Sequence, residues 1–118
     1  MRLLIPFFTA VFFSAFFPIS GNAYTVKLMA DNCNFKTPIT YYAKNGKCYD
    51  YLFGVVDTYD AIGIAHPIVN KGVCIPEDIT TIELLSSIWT YFGEHPELNS
   101  EPAASATLTA ISEQFACN

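Results

Sequence analysis

Four cysteines, at positions 33, 48, 74 and 117, constrain this chain more than any other feature, because all of them lie behind an apolar leader. Met1-Arg2 supplies one positive charge, Leu3 to Phe17 is almost uninterrupted apolar sequence, Pro18 breaks it, and Gly21-Asn22-Ala23 sets small residues where a signal peptidase cuts. The expected organisation is a cleaved secretory signal peptide over residues 1–23 and one small domain over 24–118. The apolar run is too short to serve as a membrane anchor, and no cysteine stands near the cut to accept a lipid, so no membrane contact is expected after cleavage. Export places the thiols in an oxidising compartment, where two disulfides are the default. A domain of this size buries only about 60–65% of its unfolded surface, so its core needs covalent staples. Zinc would want closely spaced ligands. The nearest two cysteines are 15 apart and neither His66 nor His95 has a partner four residues on, so no metal site and no cofactor are expected.

Hydrophobic periodicity predicts an all-α fold, a small disulfide-stapled bundle of about four helices. From Lys47 to Ile62, Cys48, Leu52, Val55, Tyr59 and Ile62 fall on one helical face, with Asp50, Asp57 and Asp60 off it. Gly54 in the middle of this helix is read either as the mark of a close helix approach or as simple tolerance. Thr80-Thr81-Ile82-Glu83 is a capping box, since the Thr80 hydroxyl can accept from the Glu83 amide while the Glu83 carboxylate accepts from the Thr80 amide. The helix it opens should bury Leu84, Leu85, Ile88, Trp89 and Phe92 and stop at Gly93. A further helix, capped by Ser100 or Glu101 and with Pro102 in its first turn, carries Ala104, Leu108, Ile111 and Phe115 on one side. Thr25 to Asn34 is weakly helical through Val26, Met29, Ala30 and Cys33. Ile39 to Tyr42 has some strand character, and Ile64 to Pro76 reads as a long loop punctuated by Pro67, Gly72 and Pro76.

The residues argue against most chemistry. A formal charge of −5, with six basic residues against eleven acidic, opposes a nucleic-acid surface. A secreted phospholipase-like enzyme would need a His-Asp pair on a helix and a glycine-rich calcium loop, and neither spacing occurs. His66 precedes Pro67 and His95 precedes Pro96, as turn residues do, and no serine sits in a nucleophile elbow or beside a lysine. Asp57 and Asp60 read first as a solvated helix face. Without nucleophile, base or cofactor fingerprint, a binding function is favoured over an enzymatic one.

Four ordered motifs then carry a resemblance. Cys48-Tyr49-Asp50-Tyr51-Leu52-Phe53-Gly54-Val55-Val56-Asp57, Cys74-Ile75-Pro76, His95-Pro96 and Phe115-Ala116-Cys117 resemble those of the Rap/Tai family, immunity proteins against type VI secretion amidase effectors. The resemblance spans nearly all of the chain after residue 23. It places Cys48, Tyr51, Leu52, Gly54 and Asp57 on the family's helix motif, Cys74 and Pro76 on the turn before the capped helix, and Cys117 at the terminal cysteine. The family often ends in Phe-Pro-Cys, and here Ala116 stands in the proline position, which loosens the terminal turn. The resemblance implies an all-helical periplasmic protein, often dimeric, that covers the Cys-His groove of a peptidoglycan amidase toxin. A periplasmic accessory or structural protein with another partner on the same scaffold is the alternative.

Disulfides Cys33–Cys48 and Cys74–Cys117 are expected, because Cys74 stands just upstream of one helix and Cys117 just beyond the next, at the open end of an antiparallel hairpin. Tyr41, Tyr42, Tyr49 and Tyr51 cluster around one turn, which fits either core packing or a homodimer interface. The inhibitory contact is expected on the loop from Ile64 to Lys71, through Ile64, His66, Ile68 and Val69, helped by Asp57 and Asp60. A plug must project and tolerate change, and loops on a rigid scaffold do both.

Overall fold

The periodic segments become four α-helices in a computed structural model, which describes residues 23–43 and 46–118. They are α1 (Val26–Asn32), α2 (Lys47–Ala65), α3 (Thr81–Glu94) and α4 (Ala103–Gln114). Short 3₁₀ turns lie at Ile39–Tyr42, Pro67–Asn70 and Pro96–Leu98, and extended pairing among the described residues amounts to two isolated bridges. The fold is the expected all-α, disulfide-stapled bundle. The expected signal peptide, residues 1–23, lies outside the described residues apart from its last residue.

The capping box forms as predicted: the Thr80 amide donates to Glu83 Oε2 at 2.7 Å, and the Glu83 amide donates to Thr80 Oγ1 at 3.2 Å. These bonds hold the Glu83 carboxyl below the usual carboxylate range. α3 buries Leu84, Leu85, Ile88, Trp89 and Phe92, with Tyr91 added, and it runs past the expected stop at Gly93 to Glu94. Proline decides the end, because the residue before Pro96 is pushed out of helical geometry, and His95 sits at φ −124°, ψ 69°. Phe35 meets Trp89 edge-on with ring centroids 4.6 Å apart, and the Trp89 indole donates to the Thr37 carbonyl at 2.9 Å, which satisfies its buried N–H.

α4 departs from expectation at its start and on its buried face. Neither Ser100 nor Glu101 caps it, and Pro102 holds the cap position without a side-chain bond. The chain ahead of α1 supplies the partners instead. The Ala103 amide donates to the Tyr24 carbonyl at 2.7 Å, while the Val26 and Lys27 amides donate to the carbonyls of Glu101 and Asn99 at 3.1 and 3.0 Å. Two helix starts thus satisfy each other's open groups. The buried stripe is Ala103, Ala106, Thr107, Ala110 and Ile111, whereas Leu108 is exposed, Phe115 only half-buried and Ala104 exposed. Small residues face inward because α4 contacts α1, α2 and α3 together, and close approach to several helices favours alanine over leucine. Thr107 is buried and donates to the Ala103 carbonyl at 2.7 Å.

At only seven residues, α1 is too short to stand alone, and its pairing with the start of α4 sustains it. The Ile39–Tyr42 segment, which has some strand character in the sequence, is a 3₁₀ turn that starts after Pro38 and packs on α2 and α3 with Ile39 buried. Both disulfides form in the expected pairing, with Cα separations of 6.7 Å for Cys33–Cys48 and 5.0 Å for Cys74–Cys117. The second is reinforced by the Val73–Ala116 bridge, in which the Cys74 amide donates to the Phe115 carbonyl and the Cys117 amide to the Gly72 carbonyl. Neither bond uses the Ala116 N–H, so a proline there, as the family often has, would leave this pairing intact.

Candidate partner-binding face

Past its midpoint α2 leaves the predicted pattern. It continues to Ala65, into the stretch expected as a loop, and buries Cys48, Leu52, Val56 and Gly63, while Val55 and Tyr59 are half-buried and Ile62 is 43% exposed. What lies against the helix sets this face. The His66 amide closes the last turn on the Ile62 carbonyl at 2.7 Å, Pro67 ends the helix, and the Pro67–Asn70 turn folds back so that Asn70 seats against Gly63. A Cβ on Gly63 would collide with the Asn70 side chain, whereas one on Gly54 would meet nothing within 4 Å. The close approach that Gly54 was read to signal occurs at Gly63, and Gly54 is simply tolerated on an exposed face. Gly72, at φ +84°, then turns the chain towards the terminal bridge in a conformation that glycine adopts without strain.

This folding-back leaves an apolar ridge. Ile64 is 77% exposed and Ile68 is 79% exposed, on the last turn of α2 and on the following 3₁₀ turn. His66 is exposed between them, and the Val69 side chain lies outside the described part. Two exposed isoleucines four residues apart in sequence are apolar surface that burial would favour, at about 1.5–3 kcal/mol for fully covering one such side chain. The ridge is not a free loop: the Lys71 and Val73 amides donate to the Ile68 and Asn70 carbonyls, and Cys74 is pinned by its disulfide immediately beyond.

Asp57 and Asp60 lie on the same helix one to two turns before the ridge, both exposed, and line a groove of about 550 Å³ between α2 and the approach to α3. Its opposite wall includes Val73, Ile75, Glu77 and Ile79. Sequence reasoning missed Phe53, Asn70 and Glu77 as members of this surface. Phe53 lies off the helical stripe that was read as the core face, and Glu77 comes to the groove only through the fold.

The remaining motif residues are structural. Tyr51 stacks at a tilt on Tyr24 with centroids 4.8 Å apart, and burial pushes its hydroxyl above the usual phenol range. Pro76 and Thr80 lead into α3, and Gly54 faces solvent. Both histidines cap helix ends, and His95 Nδ1 contacts Glu97 Oε1 at 2.7 Å while the ring stacks on Tyr91. Of the tyrosine cluster only Tyr41, at 74% exposure, is free surface, since Tyr42, Tyr49 and Tyr51 pack against the core.

With this geometry in place, comparison with known families is decisive, because the sequence pattern of the Rap1a immunity proteins matches residues 25–117, from the cap of α1 to the last cysteine. The chain belongs to the Rap1a immunity protein family. No curated protein and no solved structure matches it. Membership of the Rap1a family implies a cognate effector toxin as partner, so the exposed ridge and groove of this Rap1a-family chain are surfaces to weigh for protein recognition.

Proposed function

We propose that this chain is a periplasmic immunity protein that binds a type VI secreted peptidoglycan amidase and blocks its active-site groove with the ridge carrying Ile64 and Ile68. On this reading the chain is exported by residues 1–23, matures at Tyr24, acts by binding rather than by catalysis, and works as a homodimer. The exposure of two isoleucines on one tethered ridge carries the proposal. A plug that is already ordered loses little conformational entropy on docking, and the helix end, the backbone bonds at 71 and 73 and the Cys74 disulfide supply that order. His66 stands between the isoleucines with its ring available to donate to or accept from a catalytic dyad. Asp57 and Asp60 assist from the flank, and the acidity of the chain speeds encounter with a basic enzyme.

The test is co-expression with the amidase encoded beside this gene and directed to the periplasm. Wild type should prevent lysis, and Ile64→Asp with Ile68→Asp should keep the helical spectrum and lose protection. Lysis that continues in the presence of wild type rejects the inhibitor reading. Protection that survives the double substitution moves the contact off the ridge.

A further inference from the structure

The groove beside the ridge is lined by apolar and acidic residues that come from different parts of the chain. α2 contributes the apolar Phe53 and Val56 and the acidic Asp57 and Asp60, and the segment leading into α3 contributes the apolar Val73 and Ile75 and the acidic Glu77. Among the described residues none of these three carboxylates is in an ion pair. The pairs that do form there are Lys27–Asp31 and His95–Glu97, both elsewhere in the fold. Lys71, although close in sequence, is not part of the lining. Asn70 also lines the groove, but its side chain is turned onto Gly63, with Oδ1 buried there.

From this we infer that the groove receives an extended cationic segment of the protein partner, one Lys or Arg laying its aliphatic stem on Phe53, Val56 and Val73 and its charge among Asp57, Asp60 and Glu77. A long basic side chain fits both surfaces at once, because its methylene stem is apolar and its head is charged. An anionic or wholly apolar guest would leave three carboxylates unpaired or repelled. The volume, about 550 Å³, is within the range of about 300–1,000 Å³ usual for sites that hold a compact ligand or anchoring side chains. The inference deepens the immunity reading and rests on it for the identity of the partner: the ridge supplies apolar contact, and the groove supplies charge recognition and rapid association.

The experiment has two arms. In the first, protein exported to and purified from the periplasm is titrated with the blocked peptide Leu-Arg-Leu-Lys-Leu and with its counterpart Leu-Glu-Leu-Asp-Leu, following amide chemical shifts at low salt. The cationic peptide should move the amides of Phe53, Asp60 and Val73 saturably, and the anionic one should not. A variant combining Asp57→Asn, Asp60→Asn and Glu77→Gln, all exposed and therefore harmless to folding, should abolish the shifts. Shifts elsewhere, equal shifts from both peptides, or none, overturn the inference. In the second arm the association rate with the neighbouring amidase should fall about tenfold or more in the same variant and lose most of its salt dependence. An unchanged rate overturns the groove while leaving the inhibitor reading standing. If wild type does not bind the amidase at all, that reading fails, and the peptide arm still decides the groove.

Discussion

At its start α2 is bonded through Cys48 to Cys33 and buries Leu52 and Val56, whereas its last turn carries Ile62 and Ile64 into solvent, at 43% and 77% exposure. The same 19-residue helix is therefore scaffold at one end and surface at the other. The difference lies in what packs against each end. α2 contacts the Ile39–Tyr42 turn, α3 and α4, while at its far end Gly63 is covered by the helix's own returning turn, Pro67–Asn70. Such a division lets the exposed end change without loosening the core.

The largest effect that separates the two ends is core truncation. Phe92→Ala, at a side chain 1% exposed, should cost about 3–5 kcal/mol in denaturant unfolding, and Ile64→Ala should stay within about 0.5 kcal/mol. A comparable cost for both would erase the distinction. Next come the staples. Removing Cys74–Cys117 as a Ser pair, which opens a separation of 43 residues, should cost about 4 kcal/mol, and removing Cys33–Cys48, with a separation of 15, about 3 kcal/mol. An order reversed in thermal or chemical melts would show that strain or residual structure outweighs loop length.

The glycines sharpen the contrast within α2 itself. Gly63→Ala should destabilise by about 1–3 kcal/mol because Asn70 must move, and Gly54→Ala should stabilise by about 0.5–1 kcal/mol because the added methyl meets open space and stiffens the unfolded chain. Opposite signs in the two melts are the expected result. The smallest effect is at the cap of α3. Thr80→Ala should cost about 1 kcal/mol. The Glu83 carboxyl, held low in the folded state by the Thr80 amide and hydroxyl, stabilises the protein above the ordinary value of 4.5 and loses that contribution as pH falls below it. Glu83→Gln should flatten this part of the stability profile measured by unfolding at stepped pH, and an unchanged acid slope would place it on other carboxylates.

How much of this was legible beforehand differed between elements. The capping box was readable because both of its partners lie within four residues, and Pro96 identified the end of α3 better than Gly93 did, since the constraint of a proline on its predecessor is local steric geometry. The stripe on α4 was misread because alanine carries a weak hydrophobic signal, although it is what a crowded helix junction selects. The Ile39–Tyr42 segment has β-branched and aromatic residues without a neighbouring strand to pair with among the described residues, so its propensity found no expression. The two candidate partner surfaces divide in the same way. Ile64 and Ile68 were readable as apolar residues lacking a helical partner position, whereas Glu77 and Asn70 join Asp57 and Asp60 only when the chain folds back at Gly63.

By itself, the sequence determined the helical class, the capped start of α3 and the family motif, and it located the cysteine pairs at the open end of one hairpin and across one short loop. Each depends on groups close along the chain, or on a geometry that any helical hairpin shares. Only the tertiary structure decided which side of α2 and α4 is buried, that Gly63 rather than Gly54 is the point of close approach, and that Glu77 lines one groove with Asp57 and Asp60. These follow from contacts between distant segments, where the free energy of burial outweighs local preference and no residue's neighbours in sequence record its neighbours in space.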